Sequence, residues 1–254
     1  TKLAPDPVKE KVKEKYAKIA EGKIKSCRDD STIPCESIYT TETMAQQYAV
    51  GDLEGLPVES NLGLGCGTPV AFLDLKEGDT VLDLGSGAGI DVFIAAKKVG
   101  PTGRAIGVDM TMEMIEKARA NARKVNATTV EFRLGEIENL PVETGSVDRV
   151  ISNCVINLVP DKEKAFREIY RVLKPAGSFV VSDIVSIGEI PEAIKLDMEL
   201  WAGCVAGALK KEEYMEIIRR SGFENVSILS EKMYDYGRND SYALASVTIR
   251  GEKL

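Results

Sequence analysis

The sequence predicts an α/β fold with a doubly wound, mostly parallel sheet. Three observations carry this. From residue 79 onward short apolar runs alternate with helical stretches of about ten to fifteen residues. A glycine cluster, "GSGAG", directly follows the first apolar run. Two further strand-like runs arrive late, after two more helices, which suits an antiparallel edge on an otherwise parallel sheet.

Taken in order, residues 6–21 place Val8, Val12, Tyr16 and Ile19 at helical spacing with Lys and Glu between them, so a helix with one apolar face is expected. The polar stretch "KSCRDDSTIPCES" and the turn-rich "NLGLGCGTP" follow, marked by glycine and proline. Strands are expected at 80–84, 104–110, 129–134, 147–153 and 178–185. The segments 89–100, 111–126 and 161–174 read as the helices between them, Thr111 opening the second and Gly177 capping the third. Helices around 191–201 and 210–221 precede the last two strands, 225–230 and 241–249. The expected organisation is a helical and loop segment over 1–75 that covers a site, a ligand-binding core over 76–190, and C-terminal additions over 191–254 that complete the sheet.

Composition narrows the function. A net charge of -7 with basic and acidic residues interspersed argues against a nucleic-acid partner, which requires a concentrated basic face. The sequence contains neither a long uncharged apolar run nor the pattern of a signal peptide, so a cytoplasmic protein with no membrane role is expected. Nothing marks an exposed association stripe, and a monomer is expected. Five cysteines without C-x-x-C spacing suggest thiols rather than a disulfide scaffold or zinc ribbon. The chain has no histidine, which removes the commonest general base and the commonest metal ligand.

"VLDLGSGAGID" sets Gly85, Ser86, Gly87 and Gly89 between a strand and a helix, where glycine allows a tight turn and close ligand approach. The next strand ends in Asp109 and Met110, and an acid at that distance can accept hydrogen bonds from ribose hydroxyls. An adenosine-containing ligand in a Rossmann-like crevice is therefore expected. A dinucleotide fingerprint would need glycine where Ile90 stands, which sets a hydride-transferring dehydrogenase aside. Asp83, inside the strand, would repel a pyrophosphate but suits a sulfonium and an amino group.

"VLDLGSGAG" resembles the first motif of class I S-adenosylmethionine-dependent methyltransferases, whose seven-stranded fold the resemblance implies. It also implies that "LGEIENLP" binds adenine, Glu136 near its amino group and Ile137 against the ring; Asn153, beside Cys154, either orients the cofactor or the loop or caps the strand end.

Cys154, in "ISNCVINLVPDK", lies just past the fourth strand; Cys66 and Cys204 sit between small residues in "NLGLGCG" and "AGCVAGAL". Three thiols on separate covering elements suit a soft, thiophilic centre. Together these motifs resemble the arsenite methyltransferase family along nearly the whole chain. The resemblance implies that Cys66, Cys154 and Cys204 hold trivalent arsenic, with a further functional thiol at Cys35 or Cys27. It implies S-adenosylmethionine as methyl donor, arsenite or its thiol conjugates as substrate, and glutathione or a thioredoxin-type protein as reductant, Cys35 with Cys66 forming the disulfide. The family's two tyrosines before Gly-Cys-Gly are replaced here by Gly63 and Leu64. Competing readings are a small-molecule carbon methyltransferase of the quinone or sterol type, and a metalloid-binding protein without catalysis.

Overall fold

β1 (Thr80–Leu84) is apolar on both faces apart from Thr80 at its start and Asp83, and a strand of that kind is stable only at the middle of a covered sheet. In the computed structural model, which describes residues 5–24, 48–234 and 242–254, β1 occupies that place. It pairs in parallel with β2 (Arg104–Asp109) on one side and β4 (Val147–Asn153) on the other. β3 (Val130–Leu134) extends one wing and β5 (Leu173–Gly188) the other, giving the seven-strand order β3-β2-β1-β4-β5-β7-β6. β7 (Tyr242–Glu252) runs antiparallel to both β5 and β6 (Glu224–Met233), the antiparallel edge expected from the sequence. The order reverses between β1 and β4, and open α/β sheets bind ligands where such a reversal leaves a crevice.

Helices cover both faces because parallel strands need crossovers. α3 (Ile90–Val99) and α4 (Met112–Lys124) bury Val92, Phe93, Ile94, Ile115 and Ala118 against Val81, Ala105 and Phe132. On the other face α5 (Lys162–Val172) and α8 (Lys211–Arg220) bury Phe166, Ile169, Tyr214 and Ile218 against Leu82, Leu84, Val150 and Phe179. Asp161 caps α5 by accepting a hydrogen bond from Lys164 N at 2.9 Å, which satisfies one of the orphan amides of its first turn.

Two local expectations are corrected. α5 stops at Val172 and the chain passes directly into β5, so Gly177 is not a helix cap but an interior residue of that strand. A Cβ there would lie 2.8 Å from Lys174 O, and the left-handed turn falls on Ala176 (φ +62°) instead. The single helix expected at 191–201 is two short ones, α6 (Glu192–Lys195) and α7 (Met198–Ala202). Asp197 separates them, its carboxylate accepting from Glu199 N (2.8 Å) and Leu200 N (3.0 Å), because an Asp side chain competes with helix propagation and starts a new turn.

The N-terminal helix α1 (Pro5–Ala20) packs across the carboxyl ends of the strands. Val12 meets Leu158 and Ala202, while Ile19 and Ala20 meet Met114. A four-residue helix, α2 (Val50–Leu53), precedes β1. Among the described residues no helix is long and apolar enough to cross a membrane.

Candidate active site

The carboxyl ends of β1, β2 and β4 open into a cleft of about 1200 Å³, counted to its open mouth. Gly85 N and Ser86 N both donate to Val108 O, at 2.8 and 3.0 Å, folding the loop after β1 back onto β2. Gly85 has φ +66°, and a Cβ on it would fall 2.5 Å from the Val155 side chain, so only glycine permits this turn against the β4 end. Gly89 begins α3 at φ +99°, and a Cβ there would press on Phe132 at 2.8 Å. Gly87 completes the turn and donates its N–H to Asp109 Oδ2 at 3.0 Å.

Asp109 therefore does more than the sequence implied. Its second oxygen accepts from Thr111 N at 2.8 Å, so the carboxylate ties the glycine loop to the start of α4. The carboxylate also lines the cleft. Burial raises Asp109 above the ordinary carboxylate range, and the backbone donors of Thr111 and Gly87 pull it back. Asp83 lies 4% exposed in the cleft floor and stands well above its ordinary value through burial and the charges of Asp91 and Asp109. Asp91, in the first turn of α3, is pushed up to about 6 by burial, opposed by hydrogen bonds from Asn153 and Tyr48. Three crowded carboxylates in a buried floor are an arrangement that a cation relieves. Ser86 also lines the cleft, and its buried hydroxyl has no hydrogen-bond partner among the described residues.

Glu136 and Ile137 line the opposite wall, with Met110 between them and α1. Glu136 is engaged from α1, by Lys9 at 2.8 Å and Lys13 at 3.6 Å, and its hydrogen bond from Lys9 holds it below the usual carboxylate range. Lys9 also pairs with Glu138. The aromatic side chains of the cleft come from α1 (Tyr16) and from Tyr48, not from the Gly63–Leu64 loop.

Asn153 holds the cysteine loop. Its Oδ1 accepts from Cys66 N (3.0 Å) and Gly67 N (3.2 Å), and its Nδ2 donates to Gly67 O (2.7 Å) and Asp91 Oδ2 (3.3 Å). Tyr48 donates its hydroxyl to Asp91 at 3.1 Å, which extends the network to the segment before α2. Asn153 thus orients the cysteine loop, and it lines the cleft as well.

The structure brings Cys66, Cys154 and Cys204 into one cluster beside the cleft, which Cys154 lines. Cys66 and Cys154 are joined as a disulfide, Cα to Cα 5.6 Å across 88 residues, rather than standing as separate thiols. Cys204 is outside any disulfide and its Sγ donates to Cys154 O at 3.5 Å. Among the described residues no group of three His, Cys, Asp or Glu side chains is set to hold a metal ion. Cys154 and Cys204 both have left-handed backbones, φ +61° and +65°. Cys27 and Cys35 lie outside the described residues.

Sequence reading missed Tyr48, Asp91 and the buried group behind Cys204, formed by Asn157, Lys162, Asp183 and Tyr214. Asp91 carried one available signal, an acid in the first turn of a helix otherwise apolar on that side. Burial pulls Lys162 down and pushes Asp183 up, and each partly restores the other's charge.

A family model described as "Methyltransferase domain" matches residues 75–222. The chain is 42% identical to an arsenite methyltransferase from Halobacterium salinarum, over 98% of this chain and 67% of that one. It is 34% identical to an arsenite methyltransferase from Aquipseudomonas alcaligenes, over 88% of this chain and 64% of the relative. It thus spans about two thirds of the length of these curated relatives. Among solved structures it resembles an arsenic(III) S-adenosylmethionine methyltransferase from Chlamydomonas reinhardtii, with TM-score 0.68 and 32% identity over 83% of this chain and 72% of that one.

Proposed function

This chain belongs to the arsenite methyltransferase family, and we propose that it moves a methyl group from S-adenosylmethionine to trivalent arsenic held by the thiolates of Cys66, Cys154 and Cys204. The observation that carries the reading is the convergence of these three cysteines, from segments far apart in the chain, at the edge of a cleft floored by buried carboxylates.

The residues fit both ligands. Asp83 and Asp91 would present negative charge to the sulfonium and amino group, Asp109 would receive the ribose hydroxyls, and the Ser86 hydroxyl, without a partner among the described residues, would gain one. Glu136 and Ile137 form the adenine wall. S-adenosylmethionine, when bound, supplies an electrophilic methyl group. Trivalent arsenic on three sulfurs carries a lone pair and no proton, so no general base is required, in keeping with a chain that has no histidine. The protein's main service is alignment: holding nucleophile and methyl in one geometry can contribute about 7 to 11 kcal/mol.

Methylation takes arsenic formally from the trivalent to the pentavalent state. Return to the trivalent state needs two electrons, which two thiolates supply by becoming a disulfide. The pairing of Cys66 with Cys154 supports a second protein-borne source of these electrons, beside Cys35 with Cys66, whose first member lies outside the described residues. Glutathione, or a thioredoxin-type protein, then regenerates the thiols in a reducing cytoplasm. The protein works as a monomer on a small-molecule substrate, arsenite or its thiol conjugates.

The test is mass-spectrometric detection of methylated arsenic after incubation with arsenite, S-adenosylmethionine and glutathione, beside a Cys154→Ser variant. Product from the parent and a loss of at least about 100-fold in the variant, with methyl-donor affinity retained, is the expected outcome. A parent that binds S-adenosylmethionine but yields no methylated arsenic overturns the assignment in favour of a carbon methyltransferase.

A further inference from the structure

Behind the cysteines lies a polar group that neither the methyl donor nor the sulfur ligands explain. Asn157 is fully buried in the short turn Ile156–Leu158 that follows β4. All its backbone polar groups are engaged: its N–H donates to Asp183 Oδ2 at 2.8 Å, and its carbonyl accepts from Lys162 Nζ at 3.0 Å. Asp183 is held in turn by the Tyr214 hydroxyl at 2.9 Å. Lys162 is held by Val159 O at 3.0 Å and lies 5.3 Å from the centre of the Trp201 ring. The backbone of Asn157 is therefore a rigid platform.

Its side chain reaches from that platform to the third cysteine. Nδ2 donates to Cys204 O at 2.9 Å, whereas Oδ1 is buried and without a hydrogen-bond partner among the described residues. A buried amide with one end unsatisfied is costly, and an apolar side chain would fill a purely structural position better. What the amide supplies and an apolar group does not is a fixed donor to the Cys204 carbonyl. Cys204 needs such a hold because its backbone is left-handed, a conformation that residues bearing a Cβ adopt reluctantly. Gly207, three residues on, lacks the Cβ that would collide with Asn157 O, so the loop can close onto the platform.

We infer that Asn157 is a positioning residue for arsenic capture: its side-chain amide locks the left-handed Cys204 backbone so that the third sulfur meets those of Cys66 and Cys154. The inference rests on the three-cysteine reading of the site. It makes Asn157 specific to ligands that need three sulfurs, since arsenite exchanges three oxygens for thiolates whereas monomethylarsonous acid exchanges only two.

The single tryptophan, Trp201, lies three residues before Cys204 and donates Nε1 to Leu158 O at 3.0 Å, so its fluorescence reports this loop directly. The experiment titrates fully reduced parent, Asn157→Ala and the isosteric Asn157→Asp with arsenite and with monomethylarsonous acid. It also measures S-adenosylmethionine affinity, melting temperature and the number of sulfur neighbours by arsenic K-edge absorption. Expected in whichever variant melts cooperatively is a loss of about tenfold in arsenite affinity. Monomethylarsonous acid affinity should change by less than about twofold, S-adenosylmethionine affinity should hold, and arsenic should go from three sulfur neighbours to two. Three sulfurs and parental arsenite affinity in both variants overturn the inference, and so does an equal loss for all three ligands, which would mark a merely structural residue. A parent with fewer than three sulfur neighbours removes the three-cysteine reading itself, and the inference with it.

Discussion

The proposed donor half and the proposed acceptor half of this cleft are built in opposite ways. The donor half comes mostly from contiguous chain: β1, its glycine turn, the start of α3 and the acid at the end of β2 lie within residues 80–109, and only the adenine wall of Glu136 and Ile137 comes from further on. Its hydrogen bonds are mostly backbone to backbone or backbone to one carboxylate. The acceptor half is assembled from three segments centred on residues 66, 154 and 204, and side-chain amides hold it: Asn153 for the first segment and Asn157 for the third. A local backbone turn is specified by which residues lack a Cβ, whereas a cluster of distant sulfurs depends on every element between them being in place. Damage to the donor loop should therefore impair methyl-donor binding and leave the thiols able to bind arsenic, and loss of the Asn157 amide should do the reverse, whereas Asn153, bonded to Asp91 as well as to the Cys66 loop, touches both halves.

The sharpest break is Gly89→Ala. The left-handed backbone and the overlap with Phe132 and Phe93 should lower S-adenosylmethionine affinity at least about tenfold and stability by about 1–3 kcal/mol. Arsenite binding by the reduced variant should remain within a factor of about two of the parent, as calorimetry and Trp201 fluorescence can establish. A comparable loss of arsenite affinity would mean that the two halves are one coupled unit.

pH sharpens the comparison less drastically. Asp83 and Asp91 have raised values in the open cleft, Asp91 at about 6, and a bound cation favours their ionised forms. The sign follows directly: below about pH 6 binding must expel protons, so S-adenosylmethionine affinity should rise several-fold from pH 5 to pH 6.5. Calorimetry in buffers of different ionisation enthalpy should register proton release at pH 5.5. A flat profile, or proton uptake, would remove the carboxylate floor from cation recognition.

The smallest effect is expected at the cover. Lys9, on α1, pairs with Glu136 and Glu138 while keeping 19% of its side chain exposed. Lys9→Met should speed S-adenosylmethionine release by no more than about threefold, because partly solvated ion pairs contribute about 1 kcal/mol or less. The difference should shrink at high salt in stopped-flow measurements, as screening removes the parent's advantage. A salt-independent difference would point to packing by Val12 and Tyr16 as what holds α1 down.

By itself the sequence determined the parts of this protein that depend on local chemistry. The alternation of apolar runs and helices specified the parallel sheet, because strands buried on both faces must be apolar throughout and must be joined by covering helices. The late pair of strands specified its antiparallel edge. Glycines after β1 and an acid after β2 specified the donor loop, since a tight left-handed turn excludes other residues. Gly177 misled because a glycine after a helix marks either a cap or close backbone packing, and only its neighbours decide which. Tertiary structure alone decided the rest. Cys66 and Cys154 pair across 88 residues, Tyr48 and Asn153 converge on Asp91, and Asn157 reaches Cys204 across 47. Each of these contacts joins side chains whose positions are set by the packing of whole helices and strands, and no spacing within a single segment encodes them.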